Sequence, residues 1–245
     1  MNAVPTAEEI MQRNFFSSKP KQLSKDVTMT LVNDQGQTRE RKVKAISVLQ
    51  PNGVDSNMLV RFLAPSDIKG TGFLQIEHLE GDDDQWIYLP ALHKSRRLVS
   101  SNKKDSFMGS DFSYGDVLPP KVSNYHHKLL KEEAIEGQDC YVIESVPIDE
   151  GIMRDSGYSR KTTWIRKDNF HETKVEYSDL SGRLLKTQIV RGIILVEPDT
   201  SRWTAIYKEM VNHQTGHKTI FNADQYSTDV TIASDMFSLR TLERE

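Results

Sequence analysis

In the run Val27-Thr28-Met29-Thr30-Leu31-Val32, the apolar residues Val27, Met29 and Leu31 alternate with Thr28, Thr30 and Val32, the period-2 signature of a half-buried strand. Asp34-Gln35-Gly36 follows with turn chemistry, and residues 39–49 read as a second strand, so the two segments form a hairpin. The same punctuation recurs at Asn52-Gly53, Glu80-Gly81-Asp82, Glu136-Gly137, Ser181-Gly182 and Thr215-Gly216, each between stretches rich in Val, Ile, Leu and aromatics. Candidate strands fall at residues 58–63, 73–79, 85–89, 95–100, 128–134, 139–146, 159–166, 172–178, 184–195, 202–211 and 218–223. Upstream, Thr6-Ala7-Glu8-Glu9 is a capping box ahead of an apolar stripe of Ala7, Ile10, Met11 and Phe15, which predicts one amphipathic helix over residues 6–17. Ser66-Asp67-Ile68 and Ser110-Asp111-Phe112 could each start a helical turn. With so few helices to serve as crossovers, the sheet must be mainly antiparallel. There is no low-complexity linker and no fixed-period repeat, so a single domain over residues 1–245 is expected, with helix below about a fifth of the chain.

Composition narrows the function. At 37% hydrophobic and 27% charged, the 245 residues are neither collagen-like, disordered nor coiled-coil. Apolar runs such as Trp86-Ile87-Tyr88-Leu89 stop at four residues, far below the ~18 of a spanning helix. A net charge of -3 gives no overall positive field for nucleic acid. The single cysteine, Cys140, cannot form an internal disulfide, which suits the cytosol and the periplasm equally. Met1-Asn2-Ala3-Val4-Pro5 has no apolar signal region, so either the protein is not exported or the sequence starts after a cleavage site.

Catalytic and cofactor motifs fail on inspection. Gly70-Thr71-Gly72 begins like a dinucleotide fingerprint, but Gln75 stands at the third glycine and a strand follows. Asp111-Phe112-Ser113-Tyr114-Gly115 lacks the first glycine of a nucleophile elbow. His213 and His217 have Gln214 in place of the metalloprotease glutamate, and Gly216 marks a turn. The acidic run Glu80, Asp82, Asp83, Asp84 lacks EF-hand spacing. His126 and His127 point to opposite faces of an extended chain, and Cys140 reads as a small buried hydrophobe. No enzyme, no metal and no cofactor is the expectation.

Residues 85–117 are the informative stretch: Gln-Trp-Ile-Tyr-Leu-Pro-Ala-Leu-His-Lys-Ser-Arg-Arg, then Phe107-Met108-Gly109-Ser110-Asp111-Phe112-Ser113-Tyr114. An aromatic strand runs into a basic one with Lys94, Arg96 and Arg97, and then into a loop of aromatics and Met beside glycine, the composition of an adaptable apolar surface. The same residues could equally plug one end of a sheet. This segment closely resembles the signature of the outer-membrane lipoprotein-sorting protein family, the LolA-like periplasmic proteins of Gram-negative bacteria. Glu136 to Glu144, Tyr158 to Arg166 with Thr163-Trp164-Ile165, and Leu184-Leu185-Lys186-Thr187 extend the resemblance over most of the chain.

The resemblance implies a LolA/LolB-like fold: one strongly curved antiparallel sheet, an incomplete half-barrel, whose concave apolar face is covered by short helices and holds acyl chains. The expected function is a non-enzymatic periplasmic carrier or acceptor for a lipoprotein or another amphiphilic lipid, peripheral to the membranes, handing cargo toward an outer-membrane acceptor. The alternative is an adaptor module that docks on an inner-membrane exporter, with Lys94, Arg96 and Arg97 as a basic patch. Candidate cavity or gate residues are Met11, Phe15, Trp86, Tyr88, Phe107, Met108, Phe112, Tyr114 and Trp164. An apolar cavity of roughly 300 Å³ or more is expected, partly closed by the N-terminal helix. The loop from Phe107 to Tyr114 is either a gate at its mouth or a structural plug.

Overall fold

In a computed structural model that describes residues 4–118 and 121–244, the chain opens with helix α1 (Ala7–Ser17). The Thr6 hydroxyl accepts from the Glu9 amide at 3.2 Å, and the Glu9 carboxylate accepts from the Thr6 amide at 2.8 Å, so the capping box forms. Strands β1 (Gln22–Val32), β2 (Thr38–Leu49), β3 (Ser56–Ala64), β4 (Gly72–Ile76), β5 (Asp84–Leu89) and β6 (Lys94–Leu98) form a meander. After a long loop come β7 (Tyr125–Ile135), β8 (Gln138–Pro147), helix α2 (Glu150–Ser156), β9 (Arg160–Arg166), β10 (Glu172–Ser178), β11 (Leu184–Glu197), β12 (Arg202–Asn212), β13 (Lys218–Ser227) and a short helix α3 (Leu239–Leu242). The second meander returns so that β13 pairs with β1, giving one antiparallel sheet of thirteen strands in the order β6-β5-β4-β3-β2-β1-β13-β12-β11-β10-β9-β8-β7. Its edges, β6 and β7, do not pair, so the sheet is not a closed barrel.

Packing shows how strongly the sheet curls. β4 and β10 stand seven strands apart, ~34 Å at about 4.8 Å per strand if flat. Phe73 of β4 and Val175 and Tyr177 of β10 nevertheless belong to one buried cluster, together with Met29, Phe62, Ile87 and Met210. Bulges bend the strands, with register shifts at Asp26/Val27, Lys42/Val43, Leu129/Lys131 and Leu195/Glu197. Gly192 in β11 has φ +61°, and a Cβ there would stand 2.2 Å from Cγ1 of Ile206. Only glycine allows β12 to approach so closely at this point.

The structure departs from the sequence expectation at a few ends. β1 begins at Gln22 rather than Val27, because an inward Lys25 breaks the apolar alternation that a period-2 reading follows. β4 stops at Ile76 rather than Leu79, since the Glu77 carboxylate turns to the Ser56 amide at 2.8 Å and to buried Lys19. Ser110 and Asp111 start no helix: the helical turn precedes them at Phe107–Gly109, and the Ser110 amide closes it on the Phe107 carbonyl at 3.0 Å. Neither α2 nor α3 was signalled by the periodicity. α3 covers the convex face by packing Leu242 on Leu59, Leu74 and Tyr88, and Arg61 clamps it by donating to the carbonyls of Thr241 and Leu242, both at 2.8 Å.

Replacing Gly192 with alanine should lower stability by about 1–3 kcal/mol through overpacking and positive-φ strain. The expected readout is a lower denaturant midpoint with an unchanged slope, in a single transition if the chain is one domain.

Candidate functional site

Two covers lie on the concave face. On one flank α1 buries Ala7, Ile10 and Met11 against Ile143 of β8 and Ile165 of β9. On the other, the loop after β6 inserts Phe107, Phe112 and Tyr114 among Phe62, Phe73 and Ile87. Phe107 lies edge-on to Phe73 at 5.6 Å and to Tyr114 at 5.5 Å, and Phe112 rests on Phe221 at 4.6 Å. Between the covers a cavity of about 270 Å³ remains, and a second cleft of about 290 Å³ adjoins it past Leu118, Tyr125 and Lys161.

The expected apolar lining occupies only part of the cavity. Leu23, Ala45, Met58, Val117, Leu118 and Trp203 form an apolar wall, while Lys25, Lys161, Lys208, Asp116 and Glu172 also face the space. All three lysines sit at strand positions in phase with buried neighbours, as in Leu23-Lys25-Val27-Met29 and Lys161-Thr163-Ile165. A charged residue in the apolar phase of a strand was the available signal, and a reading by hydrophobicity passes over it.

Each charge has a defined environment. Asp116 is fully enclosed and accepts from the Ser113 amide (2.8 Å), the Tyr158 hydroxyl (2.9 and 3.1 Å) and Lys186 Nζ (2.7 Å). Burial opposes its ionisation, but the ammonium groups of Lys186 and Lys161 outweigh it and hold the carboxyl below its usual range. Lys186 also donates to the Asp111 carbonyl at 2.9 Å, and Asp111 accepts from the Thr219 hydroxyl at 2.8 Å, so the plug loop is latched to β11 and β13. Across the cavity, Glu172 is also buried, yet Lys208 at 3.5 Å, His171 and the Asn14 amide pull it down to about 2. Lys25 Nζ donates to the Ala205 carbonyl at 2.7 Å, and burial, with the nearby Lys208, lowers it to about 7. His171 is pushed below its ordinary value by burial. His127 bonds Ser145 at 2.8 Å and the Val122 carbonyl at 3.0 Å, while His126 faces solvent, as strand geometry requires.

Of the residues singled out from sequence, Met11 lines the cavity. Phe15 lies half-buried beyond it, its ring 3.9 Å from Lys19 Nζ. Phe107, Phe112 and Tyr114 are buried in the main cluster, and Met108 packs at its margin with its carbonyl held by Arg41. Trp86 and Tyr88 lie on the convex face with Leu242. Trp164 is also on the convex side, beside Cys140 and Val142, its indole donating to Glu133 at 2.7 Å. Aromatic content marked these three, but alternation alone does not say which face is concave. The basic trio is likewise split by the pleat: Arg97 pairs with Asp84 at 2.5 Å on Trp86's side, whereas Arg96 and Lys94 lie on the side of Ile87 and Leu89. Among the described residues no cluster of His, Cys, Asp or Glu could hold a metal ion, and no helix is long and apolar enough to cross a membrane.

A family model described only as an uncharacterized protein matches residues 54–244, and a comparison with the curated proteins gives no match. Among solved structures, an outer membrane lipoprotein-sorting protein domain from Vibrio parahaemolyticus is 33% identical over 97% of this chain and 98% of its own, with a TM-score of 0.88. A DUF1329 family protein from Desulfovibrio piger is 28% identical over 96% and 97%, with a TM-score of 0.87. A LolA superfamily protein from Nitrosomonas europaea, 20% identical over 97% and 100% with a TM-score of 0.73, shares the fold.

The plug packing generates one test and the lysine environment another. Phe112→Ala should cost about 3–5 kcal/mol, as truncation of a core phenylalanine does; a loss below about 1 kcal/mol in chemical denaturation would mark the loop as a gate that does not depend on this contact. Lys25 keeps its proton up to about 10.5 when unfolded but loses it near 7 when folded, so between those values the unfolded state binds more protons and stability rises with pH. Lys25→Met should flatten that rise and stabilise the protein below pH 7, measured as unfolding free energy from pH 6 to 9.

Proposed function

Because the chain belongs to the outer-membrane lipoprotein-sorting protein family, we propose that it is a non-enzymatic periplasmic carrier or acceptor, taking the acyl chains of a lipoprotein or another amphiphilic lipid into the cavity between α1 and the plug loop for transfer toward the outer membrane. The observation that carries this reading is the gap left on the concave face, with the apolar wall of Leu23, Ala45, Met58, Val117, Leu118 and Trp203 on one side. Each acyl CH₂ withdrawn from water stabilises the complex by roughly 0.8 kcal/mol. The cavity of about 270 Å³ falls just short of the roughly 300 Å³ expected from the sequence and typical of ligand sites, so it would engage part of a chain and leave the cargo releasable. Met11, on the face of α1 that meets the cavity, is the acyl contact proposed for the helix.

A second reading, an adaptor docking on an inner-membrane exporter, draws on the edge strand β6, where Lys94 and Arg96 are exposed and make no ion pair among the described residues.

Organic extraction of the purified protein followed by mass spectrometry, together with titration of the delipidated protein with a fluorescent fatty acyl probe, separates the two. The carrier reading expects extractable lipid and saturable probe binding displaced by unlabelled fatty acid. A lipid-free protein that binds no probe would overturn it and leave the adaptor reading.

A further inference from the structure

One charge on the cavity wall finds no protein partner among the described residues, and its ammonium opens onto the cavity. Lys161, on β9, is only 9% exposed, and its ammonium stands 5.5, 5.1 and 5.3 Å from the ring centroids of Tyr125, Tyr158 and Tyr177. Among the described residues no oxygen accepts a hydrogen bond from it, and it has no ion-pair partner within 4 Å. The carboxylate that acts on it, Asp116, is already engaged by the Ser113 amide, the Tyr158 hydroxyl and Lys186. Two ammonium groups therefore share one carboxylate, and the surplus positive charge faces the cavity, whereas the adjoining cleft also carries Asp82, Asp83 and Asp155.

Buried charges in folded proteins are paired. Aromatic faces compensate an ammonium in part, but they accept no hydrogen bond of ordinary strength and bring no counter-charge. We propose that the cavity binds an anionic group, a phosphate or a carboxylate, against Lys161 within the ring of Tyr125, Tyr158 and Tyr177. A monoanion there balances Lys161 and Lys186 against Asp116 and itself. The hydroxyls of Tyr125 and Tyr177 make no hydrogen bond among the described residues and are further donors at the same wall. Among the described residues that line the cavity, Lys25 is the other cation without a carboxylate of its own, but it already donates to the Ala205 carbonyl, which is why the anion is assigned to Lys161.

The anion site stands on the charge arrangement. That the anion is the headgroup of an amphiphile, its chain lying along the apolar wall, rests on the carrier reading and names its cargo class: lipids with a phosphate or carboxylate beside the acyl chain.

The test compares decyl phosphate, decanoate, decanol and inorganic phosphate, each titrated calorimetrically at pH 7.5 into the full chain, with thermal unfolding of every variant confirming that it folds. Wild type should bind the two anionic amphiphiles at least tenfold more tightly than decanol. Lys161→Met should remove that preference, bringing the affinities for decanoate and decyl phosphate to that of decanol in the same variant, and Lys161→Arg should restore most of it. Equal affinity for decanoate and decanol, or a preference that survives in Lys161→Met, would overturn the anion site while leaving a carrier of neutral chains intact. Binding of inorganic phosphate that is lost in Lys161→Met, with no amphiphile bound, would support the anion site, identify a free anion as its occupant, and overturn the carrier reading instead. No binding of any of the four would overturn both.

Discussion

Asp116 is the fixed point of the concave face. One enclosed carboxylate takes a backbone amide of its own loop, the hydroxyl of Tyr158 and the ammonium of Lys186, and so joins the plug loop to two separate parts of the second meander. Taking such groups out of water is costly, and it is tolerated because both oxygens of the carboxylate accept hydrogen bonds and Lys186 supplies a counter-charge. With this latch made, Phe107, Phe112 and Tyr114 complete the core between β3, β4 and β5 on one side and β10 and β12 on the other. Without the loop, those strands would enclose an unfilled trough.

The cavity follows from how the concave face is shared out. A curled sheet of thirteen strands has more inner surface than an eleven-residue helix and one loop cover. α1 takes the β8 and β9 end, where Asn14 and Arg202 tie its last turn to β10 and β12 by bonds to Glu172 and the Phe16 carbonyl. The loop takes the β3 to β5 end. The strands between them, β1, β10 and β12, present Lys25, Glu172 and Lys208 to the gap, and charged groups resist the collapse that would close an apolar trough.

Much of this fold was legible in the sequence. Turn glycines with positive φ, such as Gly36, Gly137, Gly182 and Gly216, lie at hairpin reversals, and each of the thirteen strands overlaps a segment that the sequence marks as a candidate strand, the basic β6 included. The site was less legible for a physical reason. Alternation reports that a strand has two faces and which is more apolar, but both faces of β5 are apolar here: Ile87 points into the concave core while Trp86 and Tyr88 meet α3 outside. Nor does it report that charged residues such as Lys25 and Lys161 stand on the inner face, since their neighbours in phase still read as hydrophobic. Asp116 could not be placed at all without the tertiary contact, because its partner Lys186 lies 70 residues away.

A mixed lining also changes what such a cavity can select. A wholly apolar pocket distinguishes ligands by chain length and bulk, at roughly 0.8 kcal/mol per methylene, and cannot easily tell one headgroup from another. Fixed charges on an enclosed wall discriminate through the cost of leaving a buried polar group unpaired, which is large because water is excluded. In the proposed carrier, apolar area and charge would therefore do different work in the same space: the wall around Leu23, Met58 and Trp203 would supply attraction that scales with the length engaged, and the tyrosine-flanked Lys161 a preference for what is attached to it. A site that holds only part of a chain keeps the first term small, so the second can decide which ligand is accepted without making release slow.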